Sequence, residues 1–536
     1  MKYARTILSG LLIVALGILP TGCGSGGGVP TFTVGGTVTG LDGTLVLQNN
    51  GKDSLTITAD GTFTFASPQA IGSTCSVTIA TQPPSQSCYV TNGSRTISDA
   101  DVADIEVHCY DSGTPDPTFG TAGVVVYDNP TQTLSYWDDW GCAITTDTTG
   151  RILVTGASYE SHTLTEDMLA WRYNPDGSLD SSFGSGGVVT DLGETANTVN
   201  RGVSVTVDAN GRIVIMGTRR NFAGNLDLAL WRYNANGVLD ASFGNGGIVI
   251  SDNAAGGNRD DAGYAGMIDS SGRILVAGAS DNGSDRDLVV WRFREDGTPD
   301  LTFGNGGVVV YDHAGGNLWG DQGVAIAEDA DGKILVTGYV DNGSNNDMAL
   351  WRFNADGSLD ASFGNSGVVV DDNAAGGNDN DAGLGCALDL TGRILVTGWS
   401  MNGHDGDMVL WAFNGDGSPD MTFGNAGKVV FAGPDASLWG DIGNGLLVDA
   451  NGRIVVVGAI GRTSGPDMAV WRFNPDGTPD VTFGTGGVMV YDAAFDAGGI
   501  DDVGWALTID ADGKLLVTGY SRGVVSSDMV VWRVIP

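Results

Sequence analysis

The sequence predicts an all-β chain: a seven-bladed β-propeller built from sixty-residue repeats, preceded by a small β-sandwich. Three observations carry the prediction. Phe-Gly landmarks recur at Phe119, Phe183, Phe243, Phe303, Phe363, Phe423 and Phe483, sixty-four residues apart at first and sixty thereafter. Tryptophans keep step at Trp171, Trp231, Trp291, Trp351, Trp411, Trp471 and Trp532, and so regular a period means one supersecondary unit stacked on copies of itself. Each copy also holds four short apolar runs bounded by Gly, Asp and Asn, which read as strands.

The first element, residues 1–22, reads as a signal peptide. Lys2 and Arg5 form a basic start, and Ile7 to Leu19 an apolar stretch too short for a comfortable membrane span. Residues 23–29 are a Gly-rich tether that opens on Cys23. The run LPTGCGSGGG resembles a bacterial lipoprotein signal, which implies cleavage before Cys23 and lipidation of its thiol. Pro20 stands where that family usually has leucine, and Leu19 lies one position earlier. An ordinary secretory signal cleaved nearby is the other reading. Lipidation would anchor the chain to a membrane, and Gly24 after the cysteine, rather than aspartate, implies the outer membrane. The expected location is therefore the cell envelope, on its periplasmic or outer face.

Residues 30–110 form the second element. GGTVTGLDGTLVLQNN and DSLTITADGTFTFAS alternate apolar and polar residues between D-G and N-G turns, as antiparallel strands do. The segment resembles the Ig-like modules of bacterial lipoproteins, which implies a stalk. Export permits disulfides. Cys88 with Cys109 is the expected pair, leaving Cys75 a buried thiol, with Cys75–Cys88 as the alternative. Cys142 and Cys386 fall on corresponding strands of the first and fifth repeats, too far apart to pair.

Residues 111–536 carry the repeats. Their last copy lacks the strand that elsewhere follows WRF, and the first offers a GVVVYD strand with nothing before it. Val124 to Tyr127 is therefore expected to complete the last blade beside Met529 to Val534. FGNGG, DADGKILVTG and WRFNADGSLD resemble the delta-60 repeat family of exported bacterial proteins, which implies a propeller-like fold and no particular activity.

A residue present in every copy suits a scaffold better than a single active site. Trp351 shares one strand face with Ala349 and Phe353, and Arg352 shares the other with Met348 and Leu350. Both faces should be buried between blades, and Arg352 should find an aspartate, because an unpaired buried charge is prohibitive. The fifth copy has Ala412 in that place, so one blade manages without the pair.

Specificity is expected on the rim whose loops vary between copies. Trp137, Trp140, Trp319, Trp439, His313 and His404 fall there and are the candidate ligand-binding residues, for a protein or glycan. The chain carries 64 acidic against 26 basic residues, a net charge of −38, which excludes nucleic acid and anionic membrane surfaces as partners. No cofactor is implied. Calcium is the one ion the composition suggests, with Asp281, Asp285, Asp287, Asp379 and Asp381 as candidate ligands in DNGSDRD and GGNDNDAG. Turn formation and a solvated acidic rim are the bland readings of the same residues. No catalytic residue is assigned, since the four histidines lack metal-ligand spacing and no nucleophile elbow or Walker loop is present. The expectation is a membrane-anchored binding platform that is not an enzyme. The alternatives are a hydrolase- or lyase-type enzyme at the central channel, and a structural envelope protein.

Overall fold

The computed structural model describes residues 29–127, 137–160, 165–192, 199–312, 320–433, 440–491, 501–523 and 526–536, and all their regular structure is strand. The predicted signal and Cys23 lie outside the described residues, as do His313, Trp319 and Trp439. No helix among the described residues is long and apolar enough to cross a membrane. The chain divides into two compact units, one comprising the residues up to Gln82 with Cys88–Cys109, the other Pro83–Ser87 with Tyr110–Pro536.

In the first unit one four-stranded sheet runs in the order Gly61–Thr64, Val34–Thr39, Val102–Asp111, Gln86–Thr91. A second runs Asp53–Ile57, Leu45–Asn49, Thr74–Thr81, Ser94–Thr96. Alternation places Leu45 and Leu47 in one shared core with Val34, Val38, Ile105 and Val107. Asn50 and Gly51, with φ of 54° and 65°, supply the left-handed turn those residue types tolerate. A wholly antiparallel module does not form: Val102–Asp111 runs parallel to Val34–Thr39. The last strand returns to the first across the whole unit, and such a long connection leaves its direction free, whereas a tight hairpin does not. Cys88 and Cys109, on neighbouring strands with Cα atoms 4.0 Å apart, are joined as a disulfide, and Cys75 is a buried free thiol.

The second unit is a series of repeated four-stranded antiparallel sheets. One comprises Gln322–Glu328, Ile334–Asp341, Asn346–Phe353 and Val368–Asp371, with Val336 opposite Trp351 and Trp351 opposite Val368. The sheet is thus offset from the sequence repeat by one strand. Val308–Tyr311, which follows the third WRF, pairs with that WRF strand. At the ends of the unit the same offset brings Val124–Tyr127 onto Ser527–Val534, with Val124 opposite Trp532 and Tyr127 opposite Met529. The first strand of each sheet packs on the first strand of the next, and Trp137–Thr146 packs on Asp501–Ile509, closing the series. The arrangement is propeller-like and leaves few exposed sheet edges.

The two faces of each WRF strand enter different cores. Ala349, Trp351 and Phe353 pack with Leu275, Val290 and Phe303, whereas Met348 and Leu350 pack with Phe363, Val396 and Trp411. All seven WRF-type tryptophans are buried. The arginine beside six of them is buried too and pairs with a nearby aspartate. Arg352 donates to Asp360 Oδ2 at 2.9 Å and lies 4.4 Å over the Phe363 ring. The fifth copy replaces this arginine by Ala412 without losing the interaction. Arg393, from the neighbouring D-x-x-G-R turn, takes the place over Phe423 at 4.9 Å and pairs with Asp420 at 3.0 Å.

Candidate functional site

The first strands of the sheets pack on one another around one cavity, and each carries an irregularity at the same place. Gly323 pairs with Gly338, but the next pair is Ala325 with Thr337, so Val324 is an extra residue in its strand. The equivalent extra residues are Cys142, Val203, Tyr264, Leu384, Asn444 and Trp505. Such a bulge turns its residue out of the ladder and re-aims the side chain. Local sequence enforces it: a Cβ on Gly338 would sit 1.8 Å from the carbonyl oxygen of Gln322, and one on Gly323 would sit 2.6 Å from Leu288 Cδ1. All seven bulged residues line one cavity of about 740 Å³, the small residues that follow them (Ala143, Ser204, Ala265) leaving it open.

Polar and aromatic groups are unevenly placed around this cavity. Arg201, half-exposed, is gripped by buried Glu166 through Nε–Oε1 (2.5 Å) and Nη2–Oε2 (3.0 Å). Tyr264 stands on the adjacent inner strand. Burial raises its pKa, although the nearby Arg286 and Arg201 charges favour the phenolate, so it remains a protonated phenol at neutral pH. Tyr339 is pushed up to about 12 by burial, and Trp505 is 46 % exposed. Burial also pushes the thiols of Cys142 and Cys386 up to about 11 and about 12, which makes them poor nucleophiles. No carboxylate is among the described residues lining the cavity. The lining can stack on flat or ring-shaped ligands, donate hydrogen bonds, and present one guanidinium to an oxygen-rich group.

The residues expected on the rim are distributed differently. Trp140 is not in a rim loop: it sits within the inner strand Trp137–Thr146, paired with Ala157, and lines the cavity. That strand begins earlier than the sequence pattern suggests because Trp137 already pairs with Glu160. His404 is exposed in the turn before Gly406–Phe413, where its backbone N–H donates to Asn402 Oδ1 at 2.9 Å. Asp281 and Asp285 are engaged in turn bonds, Asp281 Oδ1 accepting Gly283 N–H at 2.8 Å and Asp285 Oδ1 the Asn282 amide at 2.6 Å. Asp287 also accepts that amide, at 3.1 Å, and is pushed up to about 6 by burial and neighbouring aspartates. Asp379 Oδ1 accepts the N–H of Asn380 at 2.8 Å. Among the described residues, the acids that do gather, with one oxygen each inside 4.8 Å, are Asp227, Asp252 and Asp261, and Asp347, Asp372 and Asp381. These two clusters are geometrically compatible with a divalent cation. Asp381 is the one predicted ligand that takes part.

The bulged residues escape a reading that looks for motifs or variable loops. Their trace in the sequence is one position wide: after the glycine of the inner strand come Cys, Val, Tyr, Val, Leu, Asn and Trp in successive copies.

Six segments, 148–183, 209–243, 270–303, 330–363, 391–423 and 450–483, match the family described as "Domain of unknown function (DUF5122) beta-propeller". No curated protein matches the chain. Among solved structures, it is similar to an ulvan lyase described as a new family of polysaccharide lyase, with 12% identity, 75% of this chain and 96% of that one covered, and a TM-score of 0.41. It is also similar to a gluconolactonase from Xanthomonas campestris (14% identity, 61% and 94% covered, TM-score 0.28). A third is a sialidase from Trypanosoma rangeli (9% identity, 77% and 57% covered, TM-score 0.33). These likenesses correct the expectation that the chain is not an enzyme, because the similar structures include a lyase, a lactonase and a sialidase. Motif reading was a weak basis for that expectation: where every copy repeats the scaffold, any chemistry would fall to single residues that form no motif. The chain is a repeat-built protein with a β-propeller-like fold.

Proposed function

We propose that this protein is a hydrolase- or lyase-type enzyme that takes a carbohydrate substrate at the mouth of the central cavity. The observation behind the reading is the ring of inner-strand bulges, which turns a nearly different residue from each sheet into one space on the axis. Trp140 and the half-exposed Trp505 would stack on sugar rings, Asn444 and Gln322 would bond hydroxyls, and Arg201 would hold an oxygen-bearing group. Tyr264, kept protonated, would give its phenolic proton to the leaving glycosidic oxygen as the C–O bond breaks, with water adding its hydroxyl to the anomeric carbon and returning a proton to the phenolate. Glu166 would fix the orientation of Arg201 and cancel its charge. With a net charge of −38 repelling long polyanions, neutral polysaccharides cleaved by hydrolysis lead the list of substrates, whereas elimination would require uronic units.

The scaffold carrying this site is proposed to be a seven-bladed propeller, exported behind a signal peptide at 1–22 and anchored in the cell envelope through a lipid on Cys23. The N-terminal unit would be an Ig-like sandwich serving as a stalk.

The test is release of reducing ends, or of unsaturated products, from a panel of neutral and uronic polysaccharides by the purified chain. Tyr264→Phe should lower kcat about 100-fold or more with little change in KM, whereas Trp505→Ala should chiefly raise KM. Turnover unaffected by both substitutions, or no turnover of any polymer, would sink the proposal.

A further inference from the structure

The junction between two consecutive sheets holds acids that the cavity does not use. Asp347 lies in the strand Asn346–Phe353, Asp372 follows Val368–Asp371, and Asp381 opens Asp381–Leu388 on the next sheet. One carboxylate oxygen from each lies within 4.8 Å of the other two. Asp381 is 0% exposed and Asp347 5%, whereas Asp372 faces solvent. The Oδ2 atom of Asp381 accepts the N–H of Asn373 at 2.7 Å, but its Oδ1 is buried with no hydrogen-bond partner. The Ser400 side chain also hydrogen-bonds the Asp381 carboxylate, and its Oγ accepts the N–H of Ala375 at 2.8 Å, leaving Oδ1 as the atom without a geometric partner.

A buried acceptor left without a donor is costly, and more so when it is charged. None of the three acids forms an ion pair among the described residues, and Lys428 is committed to Asp371 at 2.7 Å. Like charges crowd the site further, since Asp371 and Asp372 both disfavour ionisation of Asp347 and Asp381, on top of burial. Something positive would relieve all of these costs together.

We propose that Asp347, Asp372 and Asp381 bind one calcium ion, which ties the loop between them to two successive sheets. Calcium fits because the donors are hard carboxylate oxygens, and the solvent-facing Asp372 leaves room for water in the remaining positions. Both oxygens of Asp347 accept a single donor, the Asn342 side-chain amide, at 3.0 and 2.9 Å, whereas the companion cluster is held by backbone. Both oxygens of Asp261 already accept backbone N–H groups, from Asn253 at 2.5 Å and Ala254 at 3.1 Å.

The test is calorimetric titration of calcium chloride into the chelator-treated full-length chain, alongside Asp372→Asn and Asp379→Asn. Asp372 is exposed and its replacement should fold, so this variant decides where a change at buried Asp381 could be confounded by unfolding. The expected result is calcium binding in the parent chain, loss of one equivalent in Asp372→Asn, and full binding in Asp379→Asn. Thermal unfolding should show a calcium-dependent rise in Tm that shrinks in Asp372→Asn only. No calcium heat in the parent chain overturns the proposal, as does full stoichiometry in Asp372→Asn, which would mean that the acids share a proton instead. Equal loss in Asp379→Asn also overturns it, pointing to a diffuse counterion cloud.

Discussion

The WRF strand and the inner strand of each sheet follow opposite rules, although they lie in the same sheet with one strand between them. The WRF strand repeats its residues almost unchanged and buries both faces in two different cores. The inner strand repeats its glycines and small residues but changes the one residue its bulge turns toward the axis. Uniformity marks where sheet must fit sheet. Variety marks where the protein can meet something else.

The sharpest way to break the comparison is to remove a large side chain from each strand. Trp351→Ala should cost about 3–5 kcal/mol in urea unfolding, since the ring is fully buried. Trp505→Ala, at a half-exposed bulge, should stay within about 0.5 kcal/mol. Similar losses at both positions would erase the distinction between scaffold and site.

The next effect concerns the arginine tier. Arg472→Ala should destabilise by about 3 kcal/mol, because it strips the buried partner from Asp480, 2.8 Å away. In the fifth copy that burden passes to Arg393, so Arg393→Ala should cost clearly more than Arg453→Ala. Arg453 lies 3.9 Å from Asp480 and leaves Arg472 in place over Phe483. Equal costs for Arg393→Ala and Arg453→Ala would show that Arg393 does not substitute for the missing arginine.

A smaller effect should appear in the pH profile. Burial and the neighbouring Asp252 push Asp227 up to about 6. Against an unfolded value of about 3.9, this group favours the folded state most at low pH, and that contribution fades as pH rises through about 6. Asp300 behaves oppositely: burial opposes its ionisation, but Thr302 and Arg292 outweigh burial and hold its pKa low. Its contribution is present above about pH 4 and fades as pH falls below it. Melting temperature should therefore be higher near pH 5 than at pH 7, and fall again in stronger acid. Asp227→Asn should flatten the decline between pH 5 and 7. A profile unchanged by that substitution would remove Asp227 from the explanation.

Much of the architecture was legible because it rests on short-range chemistry. D-x-x-G-R/K reads as a hairpin, and in DADGK the Oδ1 of Asp329 does accept the N–H groups of Asp331 at 3.0 Å and Lys333 at 2.9 Å. Val124 to Tyr127 could be assigned to the last sheet because the repeat left one strand missing at one end and one spare at the other. The cavity was harder to see. A bulge depends on a glycine meeting a carbonyl on the neighbouring strand, so no local pattern singles out Tyr264 or Trp505, and Trp140 was expected on the rim.

By itself, then, the sequence determined the strand content, the sixty-residue unit, the turns, and the burial of the tryptophans, since each follows from local periodicity and side-chain type. Only the tertiary structure decided which residues share the axis, which acids of different sheets meet, that Arg393 replaces the arginine absent at Ala412, and that Val102–Asp111 runs parallel to Val34–Thr39. Each of these brings together residues that are distant in sequence or belong to different strands. Their geometry is set by how strands and sheets pack, which no local pattern encodes.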